Sequence, residues 1–287
     1  MGVFDLIKEA LRIGRTHKSL WLFGFFAGLG SGFNFGGGGG GEGGAGVGVQ
    51  LPVPLVVPGI SPDPARVVPV IIIALAVLAV FVVLKFLATG ALIEGVKRAR
   101  SNGSMSLREG FREGWAHWGV LFRVALLYLP LYLGSVVVLG GGCALVFRAL
   151  GTPAGVVAAG VAVLVGVPWL LTLYMWQSFA ERIAVLENRR ALDAIAKARL
   201  FLHGRLQAGL KLLVAGFLGV LLISVCGFLV IAPVAGIVAA SAALWGIGGA
   251  VGLGALTLAP LAFVAVAFVG IMTSSVWTIG YLSQVEQ

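Results

Sequence analysis

The sequence predicts an all-α fold: a polytopic membrane helical bundle of about six transmembrane helices with three interfacial amphipathic helices. Three observations carry this. Hydrophobic residues make up 59% of the chain and charged residues 11%, against about 25% charged in a soluble domain. A soluble chain of this length could not hide so much apolar surface. The 287 residues suffice for about six spans of roughly 20 residues each, with connections. Finally, one unit occurs three times: a basic amphipathic helix that feeds an apolar run, followed by a return span. The whole chain, 1–287, reads as a single integral membrane domain.

The first interfacial helix occupies 1–18. Val3, Phe4, Leu6, Ile7, Ala10, Leu11 and Ile13 form an apolar stripe, with Lys8, Arg12 and Arg15 mainly opposite. Such a helix lies in the headgroup interface or packs on the protein's own end. Its charges are spread too widely for a signal peptide, so the segment is expected to stay in the mature chain. The run Leu20 to Phe33 follows, with Trp21 at its start. Gly24, Gly28 and Gly32 form a smooth ridge for close helix packing, within the chain or between copies. The segment 34–66 reads as a Gly/Pro-rich external loop. Its tract from Gly36 to Gly48 carries high backbone entropy and is expected to be mobile and dispensable for folding. No phosphate-loop pattern is present.

The second span runs from Val67 to about Ile93. Lys85, near its end, snorkels to the headgroups or serves as a buried functional lysine. Lys85 and Glu94 lie about 180° apart on a helix of 3.6 residues per turn, so they cannot pair. Each is expected to find a partner elsewhere, and Arg123 is the candidate for Glu94. Asn102-Gly103 signals a turn. Ser106 and Glu109 have capping-box spacing and open the second interfacial helix, 106–118, with Phe111, Trp115 and Trp118 on its apolar face and Arg108 and Arg112 on its polar one. A third span, about Gly119 to Leu139, contains Arg123 and Pro130. Cys143 to Leu150 reads as a short re-entrant or surface helix, and Ala154 to Gln177 as a fourth span kinked at Pro168. The third interfacial helix, 191–202, carries Lys197 and Arg199. After Arg205 come a fifth span to about Ile231, a partial surface helix over Val234 to Gly249, and a sixth span to Tyr281.

Of the 20 Lys and Arg, all but Arg66 and Arg148 fall on the side of the two termini. The positive-inside rule therefore puts both termini in the cytoplasm. Arg12, Arg15, Lys18, Arg108, Arg112, Lys197, Arg199 and Arg205 are the candidate contacts to lipid headgroups. Lys85, Glu94 and Arg123 are the candidate intramembrane polar residues. His17, His117 and His203 sit at the three elbows; they suit the headgroup level, a pH sensor or, if they converged, a metal. Cys143 and Cys226 read as packing residues.

Glu187 to Arg199, then His203-Gly204-Arg205 and an apolar span, resembles bacterial six-span proteins related to the membrane domain of glycerophosphoryl diester phosphodiesterases and to the YciC-like family. His17 to Gly24 and Trp277 to Tyr281 resemble uncharacterised membrane proteins of the same sort. The resemblance implies the bacterial inner membrane and carries over no enzymatic residue, because the catalytic domain of that family is a separate soluble barrel. No H-E-x-x-H, G-x-S-x-G or paired intramembrane acids are present. The expected function is a non-enzymatic module with no cofactor: a lipid-interacting protein, scaffold or partner subunit. A transporter or channel is the alternative. The expected partners are anionic lipid headgroups, with a membrane-protein partner or a second copy in addition, and no nucleic acid.

Overall fold

A computed structural model describes residues 2–35, 64–101, 103–204 and 206–285. The glycine tract and most of the expected loop at 34–66 lie outside the described residues. All regular structure described is helical: α1 Val3–Thr16, α2 Ser19–Phe35, α3 Pro64–Arg100, α4 Leu107–Leu186, α5 Ala191–His203 and α6 Leu206–Val285. Four helical stretches are long and apolar enough to cross a membrane: Val68–Arg100, Leu107–Leu186, Gln207–Ser241 and Gly252–Val285.

Two of the longest helices are hairpins. In α4 the helical backbone breaks at Gly151, where φ is 80° and ψ −178°. Only glycine tolerates that region readily. Contacts then nest around the break. Phe147 meets Gly155 and Leu139 meets Gly166; the Cys143 thiol reaches the Ala158 carbonyl at 3.6 Å; Trp169 Nε1 donates to Ser135 Oγ at 2.8 Å. This ladder makes α4 two antiparallel legs with Gly151 at the apex. α6 repeats the device at Gly246, with φ 71° and ψ 177°. Val238 there faces Gly254, Ala265 faces Gly227, and Trp277 faces Gly216.

These hairpins correct two expectations. Cys143 to Leu150 is not a separate surface helix, because it continues the first leg of α4 to its apex. Val234 to Gly249 is likewise not a partial helix; it holds the tip of α6. The chain reversal in α4 falls at Gly151, and Pro130 and Pro168 lie within its two helical legs. In addition, the second interfacial helix is not separate from its span: the first leg of α4 runs without a break from Leu107 to the apex at Gly151. α1 and α5, in contrast, are set off by short elbows.

The core lies at the charged end of the bundle. It joins Leu6, Ala10 and Ile13 of α1, Leu20 and Phe23 of α2, Leu92 and Val96 of α3, Val124 and Phe179 of α4, Ala194 of α5, and Ile271 and Trp277 of α6. Toward the far end the apolar residues are exposed instead, and Val68 to Phe81 of α3 is exposed on every face. A helix that is apolar all round needs an apolar solvent. Gly24 and Gly28 explain the tight seam between α2 and α6: a Cβ on Gly24 would stand 2.5 Å from the Ala267 carbonyl, and one on Gly28 would strike that of Val266. The smooth ridge of α2 is used within the chain.

Candidate lipid-facing site

α1 turns its apolar stripe inward. Leu6, Ala10, Ile13 and Gly14 are buried, with Gly14 against Phe268 and Ile271 of α6. The opposite face leaves Lys8, Arg12 and Arg15 exposed around Phe4, which is 74% accessible. Lys18, in the elbow, is exposed too. Trp21 Nε1 donates to the Gly14 carbonyl at 2.8 Å, which ties α1 to α2, and Ser19 Oγ donates to that of Met105 at 2.9 Å, which ties α2 to the connection before α4.

The opening of α4 forms the predicted capping box. Glu109 N donates to Ser106 Oγ at 3.3 Å, and Ser106 N donates to Glu109 Oε2 at 3.0 Å. The reciprocal pair satisfies two helix-end donors. Gly110 and Gly114 then face inward against Phe23 and Leu87. That rotation presents Arg108, Phe111, Arg112 and Trp115 outward. In α5, Ala191, Ala194, Ala198 and Leu202 are buried, while Leu192, Arg199 and Leu200 are exposed. The Arg199 guanidinium lies 5.3 Å from the Trp176 ring centre, within cation–π range. Arg205 lies outside the described residues.

The Lys197 ammonium is held by Glu187 at 2.6 and 2.7 Å. Glu94 does not reach Arg123. It pairs along its own helix with Lys97 at 3.4 Å and Arg98 at 3.7 Å, the i,i+3 and i,i+4 neighbours that helical geometry brings alongside. Arg98 also reaches Glu113 at 3.0 Å. Arg123 is exposed and Lys85 half-buried.

Glu187 ends α4 and is a junction of three elements. Asn188 takes φ 55°, the left-handed conformation that stops a helix, and α5 starts just after. The Glu187 carboxylate accepts from Lys197 of α5, from Arg189 Nε at 2.9 Å, and from the Tyr281 hydroxyl near the end of α6. Partial burial pushes its pKa up, but the hydrogen bonds from Lys197, Tyr281 and Arg189 outweigh burial and hold it below the usual value.

Sequence reasoning missed a buried polar group in the second leg of α4. Gln177 Nε2 donates to Glu181 Oε1 at 3.0 Å. Arg182 Nη1 donates to the Ser178 carbonyl at 2.8 Å and to Glu181 Oε2 at 3.2 Å. Gln177, Ser178 and Arg182 are buried. The signal was present: Gln177 and Glu181, like Ser178 and Arg182, are spaced i,i+4 at the end of an apolar run. His17 is half-buried, His203 is exposed, and His117 Nδ1 contacts the Glu113 carbonyl at 2.9 Å. Among the described residues no three of His, Cys, Asp and Glu come together as a metal site. Cys143 and Cys226 are both free.

These features define an all-helical chain with membrane-spanning potential and basic amphipathic faces at its packed end. No protein-family model matches the chain, and no curated protein or solved structure is found to match it. The resemblance drawn from its motifs therefore adds no further argument about activity.

Proposed function

We propose that this chain is a non-enzymatic, six-span protein of the bacterial inner membrane with both termini in the cytoplasm, and that its basic end is a collar for anionic lipid headgroups. As such it acts as a lipid-interacting scaffold or partner subunit. The six spans are α2, α3, the two legs of α4 and the two legs of α6. The orientation rests on the concentration of Lys and Arg at the packed end.

The observation that carries the collar is the makeup of the three outward faces. Arg12 and Arg15 share the outer face of α1 with Phe4, Arg108 and Arg112 share that of α4 with Phe111 and Trp115, and Arg199 shares that of α5 with Leu192 and Leu200, all exposed. Each face mixes cations with large apolar groups, as a surface at the headgroup boundary does. One basic residue near anionic lipid contributes about 1 kcal/mol. Reversing Arg12, Arg112 and Arg199 to Glu is expected to lower the anionic lipid retained by the purified protein, read by native mass spectrometry, without loss of insertion. Unchanged retention refutes the collar and turns these faces over to protein docking.

A transporter is the second reading. The group formed by buried Gln177 and Arg182 with Glu181 favours it, because ionisable residues inside spans commonly mark a pathway.

A further inference from the structure

The two carboxylates of α1 are both engaged away from its cations. Glu9 reaches Arg100 Nε of α3 at 4.0 Å, and Asp5 Oδ2 turns back to accept from Gly2 N at 3.2 Å. Neither is left for Lys8, Arg12 and Arg15. At about 100° per residue these three fall within about 60° of one another. They lie opposite the buried Leu6, Ala10 and Ile13, and all are exposed. With Leu11 and Thr16 they line one depression of about 330 Å³, so the three side chains border the same space. Among the described residues none of the three makes an ion pair or a side-chain hydrogen bond. Other cations at the packed end are matched: Lys97 and Arg98 to Glu94, Arg98 also to Glu113, and Lys197 to Glu187.

Depth and spacing define what fits this depression. α1 leads through a short elbow into α2, the first span in the reading above. The Trp21 indole ties the two helices through the Gly14 carbonyl. The depression therefore opens at headgroup depth, with Leu11 as its apolar flank. Arg15 stands about 10 Å farther along the helix axis than Lys8, at about 1.5 Å per residue. One phosphate can bridge Arg12 and either neighbour. As a diester it carries a single charge, and it leaves the cation at the far end of the stripe unmatched. Two phosphates on a short linker match all three cations, with the guanidinium forks bonding in bidentate fashion and the Lys8 ammonium as a point charge. Clustered cations at a cytoplasmic membrane surface favour such multiply charged headgroups.

We infer that the outer face of α1 is a binding site for a lipid whose headgroup carries two phosphates, one held at Lys8 and the other at Arg15, with Arg12 between them. The site rests on the collar reading and narrows it. The faces of α4 and α5 take any anionic lipid, and α1 selects the two-phosphate class.

The test is lipid competition on the purified full-length protein in mild detergent, with bound lipid read by native mass spectrometry. Cardiolipin, the two-phosphate probe, is expected to bind about fivefold more tightly than phosphatidylglycerol, the effect of one more matched charge. Dilysocardiolipin, with two acyl chains and both phosphates, is expected to bind as cardiolipin does. Lys8→Gln or Arg15→Gln, each at an exposed position, is expected to weaken cardiolipin about fivefold. Either variant leaves phosphatidylglycerol unchanged, because one phosphate still finds two neighbouring cations. Lys8→Arg is expected to keep the preference. Arg112→Glu/Arg199→Glu spares α1; it is expected to lower the total anionic lipid and leave the cardiolipin preference intact. A fall in total lipid with no preference in the wild type would strike the α1 site and leave the collar standing, whereas a preference with unchanged total lipid would strike the wider collar alone. The α1 site is also overturned if Lys8→Gln and Arg15→Gln both leave the preference as it was, or if millimolar pyrophosphate displaces the lipid, which would mark the ligand as a soluble diphosphate.

Discussion

Replacing Glu187 by Gln keeps the shape of the side chain and removes its charge. The size of the effect follows from its three partners. Arg189 is 48% exposed, and a pair that open to water is worth close to nothing. Lys197 is 40% exposed but closer, at 2.6 Å, and merits about 0.5–1 kcal/mol. The Tyr281 hydroxyl keeps an acceptor in the amide but loses the charge assistance, about 1 kcal/mol. The sum is a loss of about 1.5–2 kcal/mol. A carboxyl with a lowered folded pKa stabilises the fold above its unfolded pKa, near about 4.3, and that contribution disappears as pH falls through the folded value. The gap between wild type and variant is therefore expected to be constant from about pH 6 to 8 and to close below about pH 4. Unfolding of the detergent-solubilised protein by sodium dodecyl sulfate, followed by tryptophan fluorescence, measures it at each pH. Tyr281→Phe should show part of the same loss, and the two losses should not add. A gap that persists undiminished at pH 3.5, or losses that simply add, would refute the three-element junction.

Gly24→Val is expected to destabilise by about 1–3 kcal/mol, because the new Cβ meets a backbone carbonyl on α6 that has no freedom to rotate away; Gly140→Ala, with nothing within 4 Å, is expected to be neutral or slightly stabilising, and equal melting temperatures for the two would contradict the close α2–α6 seam. Gly151→Ala meets no atom within 4 Å either, yet it is expected to cost about 1–3 kcal/mol from backbone strain alone, and an unchanged melting temperature would discount the apex. In a background with Cys143 and Cys226 replaced by Ala, an impermeant thiol reagent on intact cells is expected to label Thr152→Cys and to spare Ser101→Cys; the reverse pattern overturns the orientation.

Local rules made parts of this fold readable. The capping box at Ser106 and Glu109 follows from a four-residue pattern, and the glycine ridge of α2 from spacing alone. Gly151 and Gly246 were not distinguishable among the 44 glycines, because a positive φ leaves no mark on composition. Glu94 needs no partner on another helix, because Lys97 and Arg98 lie one turn ahead on its own. Glu187 and Tyr281 are 94 residues apart, and no periodicity connects them. The charges that follow Arg182 make it look like part of a solvated connection, whereas the helix continues to Leu186 and keeps that side chain inside.

The seam between α2 and α6 also sets when the fold can close during synthesis. Gly24 and Gly28 pack on Ala267 and Val266, which leave the ribosome long after them. Until then the glycine face of α2 is unmatched. Helices can insert first and associate later, so this delay is tolerable in a bilayer. It also leaves the N-terminal segments as substrates for quality control throughout elongation. A chain halted after the α6 apex has inserted most of its apolar mass yet lacks the surface against which its first helices close.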